Sequence, residues 1–400
     1  MDGLAGKLLS GNVGMTLEGL FVGGGIHADD VRTVSNDKCG VIQQAEIVND
    51  FVTNCGLKLN SSKTEIVAFS NNNKDFINES IEINGSKVPL SSQGCCLGFW
   101  WHRSLLSSKA VEENILKARK AFFVSGCLEA FQGQLNPLSG RSIYLTCVVP
   151  ILLYGCENWI VNDHLLNQVE CFQSWVGKRL LGLSKYHSNA IVPIALDLPC
   201  VRSLILQRKL KFLVKLMPDD DGVDHSLSRN LFAALAMKDI YNISVVSQCL
   251  YLEDELGLSC ISRCLERPSE ARHILSSCVE DIRDASKHIA LERVNSNHHL
   301  KHLLTVENNY PWMKLWDWAL DYGVKGTMAC QLLLKLLTLR PIDQTCGICK
   351  STLGNSTFLD HVLSTKCSKF SVIPFSVADL CHAVGTEHLF TYTRTLRLYF

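Results

Sequence analysis

The sequence predicts an α+β fold in which short strands joined by tight turns precede a mostly helical region. Two observations carry this prediction. Short apolar runs separated by turn residues fill the first hundred positions, and apolar residues spaced three or four apart dominate beyond residue 107. A chain of 400 residues can bury a large core, and we expect two or three domains.

The first strand signal surrounds two adjacent carboxylates, Asp29 and Asp30. Apolar runs at residues 20–26 and 31–35 flank the segment His27-Ala28-Asp29-Asp30, which predicts strand, turn and strand with the acids at or beside the turn. Asp is a favoured turn residue, so an exposed turn is the ordinary interpretation. Carboxylate oxygens also bind hard divalent cations, so a metal-binding hairpin remains open.

The next segment has the apolar period of an amphipathic helix over residues 36–56. The residues with this spacing are Val41, Ala45, Val48, Val52 and Cys55. Gly56 stands where a left-handed C-cap belongs, so we expect the helix to end there.

Further strand signals continue to residue 101. Residues 57–69 predict a turn followed by an alternating strand, and Asn84-Gly85 between alternating runs predicts a hairpin. Residues 96–101 predict one more apolar strand. A basic helix then begins near Ser107 or Ser108, either of which could cap it.

The order of these elements resembles the second half of the palm of a non-LTR retrotransposon (LINE-type) reverse transcriptase. HADDVRTVS resembles the family's motif C, GLKLNSSKTEIVAFS its motif D, and CCLGFWW the hairpin called motif E that grips the primer end. YLTCVVPILLYGCENW and LPCVRSLILQRKLKFLVKLM resemble the helical region that follows the palm. The resemblance therefore implies a partial palm of antiparallel hairpins plus a helix, followed by a mostly α-helical thumb and C-terminal region.

The resemblance also implies roles in a two-metal polymerase centre that uses magnesium. Asp29 would be the essential ligand and Asp30 its weaker neighbour. Lys63 would be a proton donor or phosphate contact, and Leu97 and Gly98 would position the primer end through backbone contacts. RNA template and DNA primer are the implied partners.

Three basic residues follow on the helix whose apolar stripe is formed by Val111, Ile115, Ala118 and Phe122. Lys117, Arg119 and Lys120 lie on its polar face, where they could contact the backbone of the template–primer duplex. A solvated helix face explains them equally well.

Two features depart from the family pattern. The Asp-bearing motif A and the nucleotide-selecting motif B should precede the Asp-Asp hairpin, yet the only acids before His27 are Asp2 and Glu18. His27 itself takes the place usually held by Tyr or Phe. We therefore expect a fragment of an RNA-directed DNA polymerase that is inactive by itself.

The charge is unevenly distributed although the formal net charge is zero. Residues 100–215 hold 14 Lys and Arg against 7 Asp and Glu, a net of +7, whereas residues 1–99 have a net of −4. An acidic palm beside a basic helical region suits metal ions at the first and a phosphate backbone at the second.

A cysteine–histidine cluster near the C-terminus has the spacing of a zinc site. Cys346, Cys349, His361 and Cys367 form a C-x2-C-x11-H-x5-C pattern, which supplies three sulfurs and one nitrogen for tetrahedral zinc. A chance Cys-x2-Cys in a chain of 18 cysteines is the alternative. Cys381 and His382 are further candidates of lower rank.

The predicted organisation has four parts. Residues 1–106 are the partial palm, 107–217 the basic thumb-like region, 218–340 a helical region, and 341–400 the zinc knuckle and tail; the acidic, turn-like residues 216–222 mark the boundary after the thumb. The cysteines form no disulfide framework and no secretory signal or membrane span is evident, so we expect an intracellular protein of the nucleus or cytoplasm.

Two functions of different class follow from these patterns. The first is the inactive reverse-transcriptase fragment. The second is a non-catalytic nucleic-acid-binding protein that uses the basic helical region and the zinc knuckle. A helical scaffold unrelated to nucleic acid is the third and would make the ordered palm-like motifs a coincidence.

Overall fold

The described residues form a mixed α+β protein, which confirms the predicted fold class at that level. The computed structural model describes residues 2–11, 13–17, 19–60, 63–69, 80–83, 85–126, 134–217, 227–235, 244–297, 300 and 312–338. Small sheets lie before residue 103 and the chain is mostly helical beyond it.

The N-terminal elements are short strands and two helices. In chain order they are α1 (Asp2–Ser10), β1 (Thr16–Leu17), β2 (Leu20–Phe21), β3 (Gly24–His27), β4 (Asp30–Thr33), α2 (Lys38–Asn54), β5 (Ile66–Val67), β6 (Ser80–Ile83), β7 (Ser86–Ser91), β8 (Gln93–Cys96) and β9 (Phe99–His102). The pairs β1–β2, β3–β4 and β8–β9 are antiparallel hairpins. Strand β7 pairs antiparallel with β6 and parallel with β5, so the sheets are not purely antiparallel.

Helix α2 lies within the predicted span and ends as predicted. The carboxylate of Asp37 accepts a hydrogen bond from the Gly40 amide at 2.7 Å, which caps the first turn. Gly56 has a φ of +71°, the left-handed conformation expected of a residue just beyond a helix. Cys55 is exposed, so the buried part of the predicted apolar stripe ends three residues earlier, at Val52.

A small core joins the two N-terminal helices. Its buried members are Leu4 and Leu8 of α1 and Val48 and Val52 of α2. Side chains of β2, β3 and β4 pack against this cluster. Two helices and two hairpins thus form one local unit.

The apolar pattern of residues 96–101 predicted a single strand, which was wrong, whereas the hairpin that the resemblance of CCLGFWW implied is present. Strand β8 ends at Cys96, and β9 begins at Phe99 after a two-residue turn. Leu97 has a φ of +47° and Gly98 a φ of +76°, and positive φ at both positions is what a type I′ turn requires. Leucine disfavours this conformation, which is why the apolar run reads as continuous strand.

The hairpin predicted at Asn84-Gly85 is present: its two strands pair as expected, and its turn glycine has a positive φ. Strands β6 and β7 pair Ile83 with Ser86, and Gly85 has a φ of +74°. Asn84 lies outside the described residues.

Helices dominate the rest of the described chain. They are α3 (Ser108–Val124), α4 (Pro137–Ile143), α5 (Val149–Leu152), α6 (Asp163–Leu180), α7 (Ile191–Ala195), α8 (Val201–Leu216), α9 (Leu227–Leu235), α10 (Val245–Leu256), α11 (Cys260–Glu266), α12 (Ala271–Asn295), α13 (Trp312–Asp321) and α14 (Gly323–Thr338). Ser107 takes the predicted N-cap position of α3, but its hydroxyl accepts from the Ile160 amide at 2.9 Å and makes no cap bond.

A π-helical turn joins α4 to α5. It spans Tyr144–Val148, and the Val149 amide donates to the Tyr144 carbonyl five residues earlier. Pro150 follows at once and has no amide hydrogen for the regular ladder. The wider turn therefore lies where a proline interrupts helical hydrogen bonding.

One large core extends from Phe99 to Leu334. It includes buried side chains of α8, α10 and α12, so packing continues across the domain boundary predicted at residues 216–222. The division into four domains stays a prediction. Trp316 is fully buried and its indole N–H donates to the Ala195 carbonyl at 2.7 Å, so this face of α13 packs into the core. Within the described ranges, no helix combines the length and apolarity needed to cross a membrane.

Gly155 provides the first test of this packing. It has a φ of +68°, and a Cβ there would lie 2.6 Å from Cδ2 of the buried Phe99. We expect Gly155→Ala to lower the free energy of unfolding by about 2–4 kcal/mol, because left-handed strain adds to overpacking.

Gly257→Ala is the matched control for that substitution. Gly257 has a φ of +65° and no atom within 4 Å of the added Cβ, so only backbone strain of about 1–2 kcal/mol applies. Urea denaturation of both variants measures the difference. Equal losses of stability would show that the Phe99–Gly155 contact adds nothing.

Candidate functional site

The acidic hairpin has the geometry expected from the sequence. Strands β3 and β4 pair His27 with Asp30, which leaves Ala28 and Asp29 as the turn. Ala28 has a φ of +53°, and both carboxylates are exposed to solvent. The two acids therefore lie at and beside the turn, as predicted, and their role as magnesium ligands stays a prediction.

A buried glutamine of α2 holds the base of this hairpin. The side-chain amide of Gln44 donates to the carbonyls of Gly23 at 2.8 Å, Val13 at 3.0 Å and Val34 at 3.2 Å. Gly23 and Val34 flank the hairpin on either side, so Gln44 fixes both of its ends to the helix. Sequence reasoning missed this residue, although a Gln three residues after Val41 falls on the apolar face of the helix.

The turn that carries Leu97 and Gly98 lies beside the acidic hairpin. The Arg32 guanidinium of β4 lies close enough to the thiol of Cys96, the residue just before that turn, to influence its pKa. Burial raises the pKa of the Cys96 thiol, while the Arg32 charge opposes the rise and Asp30 adds to it. The structure thus brings Asp30 and the Leu97-Gly98 turn into one neighbourhood.

The helical region holds the same turn from the other side. The phenol of Tyr154 donates a hydrogen bond to the Leu97 carbonyl at 2.6 Å. Phe99, which follows the turn, packs on Gly155. The predicted primer-end residues therefore connect the acidic hairpin with the helices, and sequence reasoning did not identify Tyr154.

Lys63 is not joined to the acids by any described contact. Its side chain is exposed, and its amide donates to the Asn60 carbonyl at 3.0 Å. Glu65, two residues later, accepts from the Cys95 amide of β8 at 3.3 Å. This segment is therefore tied to the β8–β9 hairpin.

The basic face of α3 is the most strongly charged candidate surface. Val111, Ala118 and Phe122 are buried as predicted and Ile115 is half-buried, which turns Lys117, Arg119 and Lys120 toward solvent. Among the described residues, no carboxylate forms an ion pair with these three cations. Nearby, the pKa of the Glu113 carboxyl is lowered chiefly by its hydrogen bond from Lys109 at 2.8 Å.

Trp175 of α6 supports this face. The Arg119 guanidinium lies over its ring at 5.3 Å from the centroid, and the Arg179 guanidinium lies over the same ring at 4.4 Å. Phe172 stacks with Trp175 at a ring separation of 5.7 Å. Arginine over an indole face is attracted by the ring quadrupole, so both guanidinium groups are held near one position. Sequence reasoning missed Trp175 and Arg179, whose i, i+4 spacing was the available signal.

The predicted zinc ligands lie outside the described residues. Cys346, Cys349, His361 and Cys367 belong to this part of the chain, as do Cys381 and His382. In the remainder, no three His, Cys, Asp or Glu side chains are grouped so as to hold a metal ion. The zinc site stays a prediction from sequence spacing.

Comparisons with protein-family models, curated proteins and solved structures give no match for this chain. The resemblance to LINE-type reverse transcriptases therefore rests on the sequence motifs quoted above. Membership of that family stays a proposal.

Gln44 provides a test of how the acidic hairpin is held. We expect Gln44→Ala to lower the free energy of unfolding by about 2–3 kcal/mol, because the carbonyls of Val13, Gly23 and Val34 each lose a hydrogen bond from this buried side chain. Amide hydrogen exchange at Val34, whose N–H bonds the Gly23 carbonyl at 2.9 Å, should become faster.

Gln43→Ala is the control because Gln43 is exposed on the same helix. We expect it to change stability by less than about 0.5 kcal/mol. Unchanged exchange at Val34 in the Gln44 variant would contradict the assigned role.

Proposed function

We propose that this chain binds the phosphate backbone of nucleic acid through the exposed basic face of α3, and that it derives from the palm and following helices of a LINE-type reverse transcriptase. One observation carries the binding proposal. Lys117, Arg119 and Lys120 are exposed on α3 and form no ion pair with a carboxylate among the described residues, although the Glu113 carboxylate lies near Lys117 and Lys120. The order of the palm-like motifs supports the proposed descent.

The support beneath Arg119 favours phosphate binding over a merely solvated helix face. A guanidinium held over Trp175 has lost part of its side-chain freedom before a ligand arrives, so less entropy is lost on binding. Its planar donors match two phosphate oxygens. Lys117 and Lys120 add positive charge on the exposed part of the same helix, and each neutralised phosphate releases condensed counterions.

The acidic hairpin supports the proposed descent from a polymerase, but it does not support catalysis by this chain. Two-metal phosphoryl transfer requires carboxylates that hold two ions about 3.5–4 Å apart. Within the described residues, no third carboxylate joins Asp29 and Asp30 in such a group. We therefore propose binding without nucleotide incorporation by this chain alone.

The alternative of a non-catalytic binding protein with a zinc knuckle uses the same surface of α3. The two alternatives differ in the C-terminal cluster, which would add a second nucleic-acid contact. A helical scaffold unrelated to nucleic acid predicts no binding at all, so a binding measurement separates it from both.

Neutralising the basic face tests the binding proposal. We expect the triple variant Lys117→Gln, Arg119→Gln and Lys120→Gln to bind a labelled 20-base-pair duplex about tenfold more weakly or worse at moderate salt. The slope of log affinity against log salt should fall by about 2–3, because fewer counterions are released. Fluorescence anisotropy across a salt series measures both quantities.

A charge-matched triple variant of α12 is the control. Arg272, Arg283 and Lys287 are exposed there, and their replacement by Gln removes the same charge. Equal losses from the two variants would indicate nonspecific attraction and would contradict a site on α3.

Primer extension tests the absence of polymerase activity. We expect no incorporation by this chain on a primed RNA template with magnesium and deoxynucleotides, because Asp29 and Asp30 alone cannot place two metal ions. A sequencing gel reads the products. Template-dependent extension that disappears in Asp29→Ala would overturn this expectation.

A further inference from the structure

Tyr186 is the most exposed tyrosine of the described residues and lies in the loop between α6 and α7. Its side chain is 70% exposed, and the Lys185 ammonium lies 5.1 Å from the ring centroid. In the described part of the chain, Lys185 makes the one ring contact of Tyr186, and no hydrogen bond involves the phenol. An aromatic ring of this kind is available to a ligand.

The loop that carries Tyr186 is fixed on both sides of the ring. The Ser184 hydroxyl and Nδ1 of His187 are 2.9 Å apart, and the His187 amide donates to the Ser184 carbonyl at 3.3 Å. On the other side, the side-chain amide of Asn297, two residues beyond α12, donates to the Ser188 hydroxyl at 3.1 Å. Tyr186 is therefore presented from a turn with a defined position.

A series of contacts connects this loop to the basic face of α3. Arg119 of α3 and Arg179 of α6 lie over the same Trp175 ring. Beside Arg179 in the last turn of α6, Lys178 donates from its amino group to the Lys185 carbonyl at 3.2 Å. Lys178 and Arg179, adjacent in α6, therefore link the loop that carries Tyr186 to the Trp175 ring on which Arg119 of α3 lies.

We propose that Tyr186 stacks on an unpaired nucleobase of a strand whose phosphates contact the basic face of α3 and Arg179. This inference rests on the proposed function and specifies its ligand as single-stranded nucleic acid. Exposed aromatic rings beside basic side chains are the elements that bind single strands with little sequence preference. The bases of a duplex already stack on each other, so a duplex gains little from Tyr186.

Single-stranded nucleic acid is the proposed ligand because the exposed apolar surface here is the aromatic ring of Tyr186. A tyrosine ring left in water costs free energy that stacking on a base would recover, and Lys185 beside it can contact the neighbouring phosphate. DNA and RNA strands share this chemistry, because every base has an aromatic face. The 2′-hydroxyl is the group by which the two could differ.

Binding to matched single-stranded and duplex probes tests the proposal on the full chain. The probes are labelled dT20, labelled rU20 and a blunt 20-base-pair duplex, measured by fluorescence anisotropy. We expect Tyr186→Ala to weaken binding of the single strands about 5- to 100-fold, with duplex binding unchanged. Tyr186→Phe should bind like wild type because stacking needs only the ring.

Phe212→Ala provides the matched control. Phe212 is exposed on α8 and takes no part in the contacts that link α3 to Tyr186, so its loss should leave binding of all probes unchanged. Circular dichroism melting checks that each variant folds.

The outcomes separate this inference from the proposed function. If Tyr186→Ala binds dT20 and rU20 as tightly as wild type does, the binding proposal stands and the stacking site is overturned. Equal weakening on duplex and single strands also overturns it. No binding of any probe by wild type overturns both proposals. Weakening on rU20 but not dT20 would restrict the ligand to RNA.

Discussion

Between α5 and α6 the backbone leaves regular helix while it is still buried, so its carbonyls and amides need partners from elsewhere. Side chains of three helices supply them. The Lys209 amino group of α8 donates to the carbonyls of Glu157 at 2.9 Å and Trp159 at 2.7 Å. Asn114 of α3 donates to the Tyr154 carbonyl at 2.8 Å, and Gln248 of α10 accepts from the Val161 amide at 2.6 Å. Burial lowers the pKa of Lys209, yet hydrogen bonds to two carbonyls compensate for the lost water. This one irregular segment therefore fixes α3, α8 and α10 relative to each other.

The same segment carries Tyr154 and Gly155, and so it also positions the strands. Tyr154 bonds the Leu97 carbonyl, and Phe99 packs where Gly155 has no side chain. Through Cys96 and Arg32 this hairpin contacts the acidic hairpin, whose ends Gln44 holds. A displacement of the irregular segment would therefore be transmitted to both candidate surfaces. This coupling is why a buried polar cluster far from Asp29 matters to the geometry of the site.

Local structure could be predicted from the sequence where it depends on the apolar spacing of a single helix or on one turn residue. Helix α2 with Gly56, and the apolar stripe of α3, are examples. The turn at Leu97-Gly98 could not be predicted from the apolar pattern, because leucine rarely takes a positive φ and the hairpin is held by the distant Tyr154. The roles of Trp175 and Arg179 escaped prediction for a similar reason, since Arg119 lies more than fifty residues earlier in the chain. Contacts between such distant residues depend on packing, which one sequence does not display.

The two proposals assign binding and catalytic descent to surfaces of opposite charge. In the proposed binding mode, the phosphates lie near Arg119 and Arg179, whose guanidinium groups the Trp175 ring supports, and a base reaches Tyr186. A strand that approached Asp29 and Asp30 would meet two exposed carboxylates, and repulsion between like charges acts over about 8–10 Å at physiological salt. Only a cation between the carboxylates and the phosphates would turn that repulsion into attraction. The proposed nucleic-acid binding on the helices would therefore not require the acidic hairpin to function, and the binding proposal stands or falls independently of polymerase descent.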